Sequence, residues 1–235
     1  MSPAEFNTAY ADSPLKLITS TKERLNYNIY WSGIYVGKAE MLAVKNHDKV
    51  TINLKVDSAP VISFFYKVDD HAQSVVINSQ PAHFRLKQRE GRHRGDKETF
   101  FDYSTGKIEH FNYLKNTRNV HNVSDVIYWD LISGFYTVRH QQLTVGKPHI
   151  LKIFDNNKLF EAEVNILRRE SIELRNGREI KAIAIQPKLD TEALFKRKGD
   201  MVIWLSDDSN RLPVRVETSV PIGSVTAELS SYSIE

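Results

Sequence analysis

Punctuation constrains this chain more than anything else in it. Short segments of alternating apolar and polar residues each end in Gly, Pro, Asn or Asp, with a single helical interruption. Tyr27-Asn28-Ile29-Tyr30-Trp31 runs through Ser32-Gly33 into Ile34-Tyr35-Val36-Gly37. Met201-Val202-Ile203-Trp204-Leu205 runs through Asp207-Asp208-Ser209-Asn210 into Leu212-Pro213-Val214. Successive side chains of a strand point to opposite faces, so such segments bury one face and wet the other. The pattern predicts strands over 24–31, 34–46, 49–56, 66–69, 74–78, 82–89, 96–102 and 107–112. Turn signals at Gly37, Asn46-His47-Asp48, Ser79-Gln80-Pro81, Glu90-Gly91 and Ser104-Thr105-Gly106 space them as a meander of hairpins.

The period changes once. Ile127, Leu131, Ile132, Phe135, Tyr136, Val138 and Leu143 fall mostly three or four apart, which predicts a helix over 126–142. Ser124 or Asp125 would cap its start, and Gly146 lies beyond its end. Strands resume over 149–155, 158–169, 171–174, 179–186, 201–206, 212–218 and 224–233. Asn156-Asn157 and Asn176-Gly177 read as tight hairpin turns, the second suited to type I′. Residues 189–198 fit a short second helix, with Thr191 to cap it and Gly199 to end it. Residues 1–14 read as a disordered lead and 15–235 as a single β-rich domain, because no linker or repeat divides the two β halves. The expected fold is all-β with one main helix: a curved antiparallel sheet or open half-barrel with the helix packed against its concave side. A closed barrel or a sandwich is the alternative.

Composition narrows the function classes. No apolar run approaches the roughly 20 residues that cross a bilayer, so no membrane span is expected. A net charge of +3 is too small to imply nucleic acid. There is no cysteine, which removes disulfides, thiolate zinc sites and cysteine nucleophiles together. That is compatible with an oxidising compartment without requiring one. Residues 1–13 lack a basic start and an apolar stretch, so as they stand they are not a signal peptide. They suit either the mature start of an exported protein or a flexible tail.

Few residues suggest chemistry. Asp130, Ser133 and Arg139 stand among large apolar groups on the helix, and Asp130 shares a face with Gly134. Such groups either wall an ion-paired pocket, with Arg139 anchoring a ligand, or bond the helix to neighbouring strands; buried charges more often do the latter. Arg85, Lys87 and Arg89 share a strand face, and Arg92, His93 and Arg94 crowd the following turn. They could hold phosphate, an anionic head group or a protein partner, although Glu90, Asp96 and Glu98 dilute the charge. The eight histidines show no ligand spacing, so no metal or cofactor is expected. Gly-x-Ser-x-Gly, phosphate-loop and Ser-x-x-Lys signatures are lacking, and Asp207-Asp208 reads as a turn rather than a catalytic pair.

Several motifs recur together in order. They are Tyr27 to Trp31 with Gly33 and Val36-Gly37, Tyr66 with Asp69, Phe101-Asp102, Asp130 to Arg139 with Gly146, and Trp204 to Asp208 with Arg211-Leu212-Pro213-Val214 and Gly223-Ser224-Val225. Through them the chain resembles domain of unknown function (DUF) family 3108, uncharacterised exported proteins of Gram-negative bacteria, from about 25 to 229. The resemblance implies a β-rich periplasmic protein whose signal peptide is removed here, and it carries no catalytic residues across.

The functional expectation is a non-catalytic periplasmic scaffold binding a lipid or other amphipathic envelope molecule in the concavity of its sheet. Phe64, Phe65, Trp129, Phe135 and Tyr136 would line the cleft, with Arg139 near a head group. The alternative is an interaction or regulatory module that meets an envelope protein through strand edges or the basic residues Arg85, Lys87, Arg89 and Arg92. A hydrolase built from Asp130, Arg139 and a distant histidine is a third, weaker option.

Overall fold

A computed structural model describes residues 20–124, 126–188 and 201–235. The lead expected at 1–14, the cap considered at Asp125 and the helix expected at 189–198 lie outside them. The first meander comprises β1 (Lys22–Trp31), β2 (Ile34–Asn46), β3 (Lys49–Ser58), β4 (Asp69–Ile77), β5 (Gln80–Glu90), β6 (His93–Asp102), β7 (Lys107–Asn112) and β8 (Thr117–Asn122). The short helix α1 (Pro60–Ser63) interrupts it between β3 and β4, and the main helix α2 (Leu131–Arg139) follows it. The second meander comprises β9 (His149–Asp155), β10 (Lys158–Glu173), β11 (Glu179–Lys188), β12 (Met201–Ser206), β13 (Pro213–Ser219) and β14 (Ser224–Ile234).

Among the described residues these strands make one sheet, in the order β8-β7-β6-β5-β4-β3-β2-β1-β14-β13-β12-β11-β10-β9. Every neighbouring pair is antiparallel, and β1 zips to β14 from Glu23↔Ile234 to Trp31↔Val225. The sheet is open: β8 and β9 form its two edges and no ladder joins them. Its tight turns follow strand twist. Ser32-Gly33, Asn78-Ser79 and Asn156-Asn157 all have positive φ at both central positions, the geometry that matches right-handed strands.

The expected meander is present with local differences. Of the expected 66–69 strand, residues 66–68 are a loop leading into β4, which begins at Asp69. The 158–169 and 171–174 segments are one strand, β10, with a bulge near Ile166/Arg168. Asn176-Gly177 is not a type I′ pair: only Gly177 has positive φ, within a longer turn closed by Gly177 N–H donating to Leu174 O at 2.9 Å. The main helix is shorter than its apolar spacing suggests. Asp130 caps it in an extended conformation, accepting from the Ile132 and Ser133 amides at 3.0 Å each. The residues before it run extended beside β9, where the Trp129 amide donates to Lys152 O at 2.9 Å.

Helix α2 fills the inside of the curled sheet. Ile132, Tyr136 and Val138 join Ile52, Ile108, Ile153, Ile183 and Leu205 in one buried cluster. Close approach to β9 is possible because residue 134 is glycine; a Cβ there would lie 3.0 Å from Ile153 Cδ1. A second cluster gathers Leu25, Tyr27, Ile172, Leu174, Leu212 and Leu229. The helix also carries its polar groups inward. Arg139 donates through Nη1 and Nη2 to the two Glu23 oxygens at 2.8 Å each, and through Nε to Arg211 O at 3.0 Å. Tyr136 donates to Glu23 Oε1 at 2.9 Å.

Burial alone would push the Glu23 carboxyl up, but the hydrogen bonds and charge of Arg139, with the Tyr136 hydroxyl, hold it below its ordinary value. Removing one partner of such a pair strands the other charge. Arg139→Met is therefore expected to lower the unfolding free energy by about 3–5 kcal/mol at neutral pH, read from urea unfolding midpoints. Without Arg139 the Glu23 carboxyl would titrate above its ordinary range, so the deficit should shrink as pH falls toward about 4. A deficit of the same size at every pH would show that the lost partner was not the charge of Glu23.

Candidate functional site

The six residues expected to line one cleft fall into two separate groups. Trp129, Tyr136 and Arg139 are buried in the interior, and Phe135 is half-buried against the same core. Phe64 and Phe65 are 85% and 82% exposed, at the tip of the loop between β3 and β4. The expected cleft is absent at these positions because α2 occupies the concavity and Arg139 is spent on Glu23 and on the Arg211 and Asn210 carbonyls. Asp130 likewise caps its helix and accepts from Ser74 Oγ at 2.7 Å and Ser133 Oγ at 2.6 Å. These groups dock a helix.

The tip that carries Phe64 and Phe65 is an ordered structure. Pro60 starts α1, the Ser63 hydroxyl donates to Ala59 O at 3.0 Å, and the Tyr66 amide donates to Ile62 O at 2.8 Å. The two rings meet edge to face with centroids 5.1 Å apart. Tyr66 folds back onto the β5–β6 turn, where Gly91 has φ 55° and a Cβ would lie 2.5 Å from the Tyr66 ring. The Gly91 amide donates to Lys67 O at 2.8 Å. Tip and basic hairpin are thus one surface.

In that hairpin the charges divide. Arg85 is structural: it pairs with Asp96, donates to Lys97 O at 2.6 Å and lies 4.9 Å from the centre of the Tyr113 ring. Lys87, Arg89 and Arg92 are exposed and have no ion pair among the described residues. Other turns extend the apolar surface. Trp31, Ile34 and Tyr35 on the β1–β2 hairpin and Ile222 before β14 are all exposed, and Trp31 Nε1 donates to Ile222 O at 2.7 Å. We refer to this end of the sheet as the rim. Sequence reasoning found Phe64, Phe65 and the basic residues but assigned the rings to the interior. The available signal was the run Val61-Ile62-Ser63-Phe64-Phe65-Tyr66 beside Pro60, apolar or aromatic at every position but Ser63 and lacking strand alternation.

Two other places bear on chemistry. A surface cleft of about 280 Å³ is lined in part by Lys181, Asp207, Asp208, Leu212 and Tyr232. Its two aspartates are engaged: Asp207 pairs with Arg169 and Arg211, and Asp208 accepts the Asn210 and Arg211 amides of the turn. At the seam between the sheet edges, Phe154 stacks edgewise on Phe101, His110 and His121. Lys97 Nζ donates to Asn156 Oδ1 at 2.8 Å, pinning the β9–β10 turn to β6. No cluster of three His, Asp or Glu able to hold a metal occurs among the described residues.

A large open antiparallel sheet wrapped on one helix defines a β-barrel-like scaffold. The chain belongs to the family described as Protein of unknown function (DUF3108), which matches residues 26–230. Its fold is similar to that of a solved β-barrel-like protein, of domain of unknown function DUF1849, from Brucella abortus. The two share 10% identity with a TM-score of 0.63, over 93% of this chain and 99% of the other. No curated protein matches this chain in sequence.

The seam makes a pH prediction. Burial pushes the Asp155 carboxyl up to about 6, with Lys97 opposing and Asp130 adding to the rise. Burial, with the charges of Lys97 and His121, pushes His110 down to about 4. Asp155 therefore favours the fold below its unfolded value of 3.8 and ceases to as pH rises through about 6. His110 favours the fold above 6.5 and ceases to as pH falls through about 4. The two slopes oppose each other across a shared window. Asp155→Asn is expected to raise the Tm at pH 7, to lose that gain below about pH 4, and to leave stability climbing with pH between. An unchanged or lower Tm at pH 7 would show that the charged Asp155 is stabilised by a partner.

Proposed function

We propose that this chain is a non-catalytic β-scaffold of the Gram-negative periplasm that binds an apolar or amphipathic envelope molecule at its rim. Periplasmic residence is inferred from the family resemblance to exported proteins. Binding at the rim is inferred from one observation above all: Phe64 and Phe65, 85% and 82% exposed, are held outward by an ordered turn. Two adjacent phenylalanines in water are a large apolar liability, and burying them on a ligand recovers roughly 1.5–3 kcal/mol each. The filled interior favours the surface over an enclosed site. The outer edge of β8 (Thr117–Asn122) is unpaired among the described residues, which favours a protein partner as a second reading, although its residues are mostly polar.

A reporter at the tip tests the first reading. In a Phe64→Trp protein, titration with monomers of a nonionic detergent should shift tryptophan emission to the blue in a saturable way. Adding Phe65→Ser should weaken that binding by about tenfold or more without lowering the Tm, since neither ring supports the core. Emission that stays unshifted, or binding indifferent to residue 65, would sink the rim as the binding site.

A further inference from the structure

We propose that the rim docks on the surface of an anionic lipid bilayer, with Phe64 and Phe65 entering the interfacial layer and Arg89 and Arg92 meeting lipid phosphates. This deepens the rim reading and rests on it.

Topology places the parts together. In an antiparallel meander every second connection lies at the same end. The β1–β2, β3–β4, β5–β6 and β13–β14 connections accordingly lie side by side. Hydrogen bonds tie each to the next: Ser32 N–H to Ser224 O, Ala59 N–H to Val36 O and Gly91 N–H to Lys67 O, all at 2.8 Å. Val61, Phe64, Phe65, Ile34 and Ile222 supply exposed apolar groups there. Trp31, Tyr35 and Tyr66 add half-exposed aromatics with an apolar body and a polar tip, the combination that prefers a membrane–water boundary.

Charge selects the lipid. Arg89 stands directly opposite Arg94 across the β5–β6 ladder, with Arg92 in the turn between them. Like charges in register repel, and among the described residues Arg94 alone of the three donates through its side chain to local acceptors, the Gly91 and His93 carbonyls at 2.8 and 2.6 Å. Three nearby carboxylates are engaged elsewhere, Asp69 with Lys67, Asp57 with Lys55 and Asp70 with the Arg89 amide, while Glu90, next to Arg89 in the chain, offsets part of the positive charge. An array of phosphates would relieve this repulsion, because guanidinium pairs with phosphate in a planar fork. Phe64 and Phe65 project from a turn into solvent, so they suit an extended surface better than a single enclosed lipid.

Sedimentation with vesicles decides it. The purified chain should pellet with phosphatidylcholine vesicles containing about 30% phosphatidylglycerol and stay in solution with phosphatidylcholine alone. Roughly 0.5 M salt should weaken binding about tenfold. F64S/F65S should lose binding about tenfold or more, and R89Q/R92Q should lose it severalfold, both retaining the parent Tm. Arg85→Gln is not a substitute, because Arg85 is structural. Absence of phosphatidylglycerol-dependent pelleting, or pelleting that ignores either double variant, overturns the proposal. If detergent monomers still bind at the tip in that case, the rim reading survives and only the bilayer is wrong. If they do not, both fall.

Discussion

A carboxylate and a guanidinium sealed inside a β-sheet hold this molecule in one piece. Glu23 lies on the first strand and Arg139 on the main helix, 116 positions apart, and their bidentate pair is nearly free of solvent. The same guanidinium reaches the Asn210 and Arg211 carbonyls, in the turn between β12 and β13. One side chain thus ties the first meander, the helix and the second meander together. Lysine could not replace it, since an ammonium lacks the planar fork that serves two carboxylate oxygens and two carbonyls at once. The cost of burying both charges is recovered only when all three pieces are in place. Assembly depends on contacts distant in sequence, which is characteristic of slow-folding β proteins.

That knot decides what the interior can be. Tyr136 belongs to the larger apolar cluster and Tyr27 to the smaller, and both are buried near the ion pair. The helix is consequently fixed deep in the sheet, with Gly134 against Ile153 and Asp130 bonded to Ser74 on β4. A sheet of this size could have enclosed a ligand; here its concave side is spent on its own helix. That packing is why the proposed binding surface lies on the outside of the sheet.

Much of this was legible in the sequence, and the failures have physical causes. Turn chemistry located most hairpins, and Asn156-Asn157 adopts the tight pair its residues favour, since asparagine tolerates positive φ. Strand β8 carries no readable strand signal because Thr117-Arg118-Asn119-Val120-His121-Asn122 forms an edge with no fully buried residue, leaving no apolar alternation. The apolar spacing overstates the helix because Ile127 falls in helical register although it lies before the helix, which begins at Leu131. Asp130 and Arg139 stood out as unusual, but a helix sequence does not reveal a partner such as Glu23, and chemistry was considered where there is packing. Composition alone places Phe64 and Phe65 inward because large aromatics usually are buried, and only the missing alternation beside Pro60 marks them as a projecting turn.

The open sheet explains why exposed apolar groups concentrate at the rim. Each edge of a sheet is a row of unsatisfied amides and carbonyls that must be covered or made unattractive. The extended segment at Trp129 covers part of β9 through hydrogen bonds to Lys152 and Phe154, and Phe154 in turn seals the seam against Phe101, His110 and His121. The other edge, β8, is defended by polarity. Both edges are therefore managed, as they must be for the chain to stay unaggregated. The rim is treated in the opposite way: hydrogen bonds through Ser58 and Ser63 are used to hold hydrophobic side chains in solvent. Holding Phe64 and Phe65 in water buries little apolar area, and the proposed contact with an apolar or amphipathic surface is what gives that exposure a use.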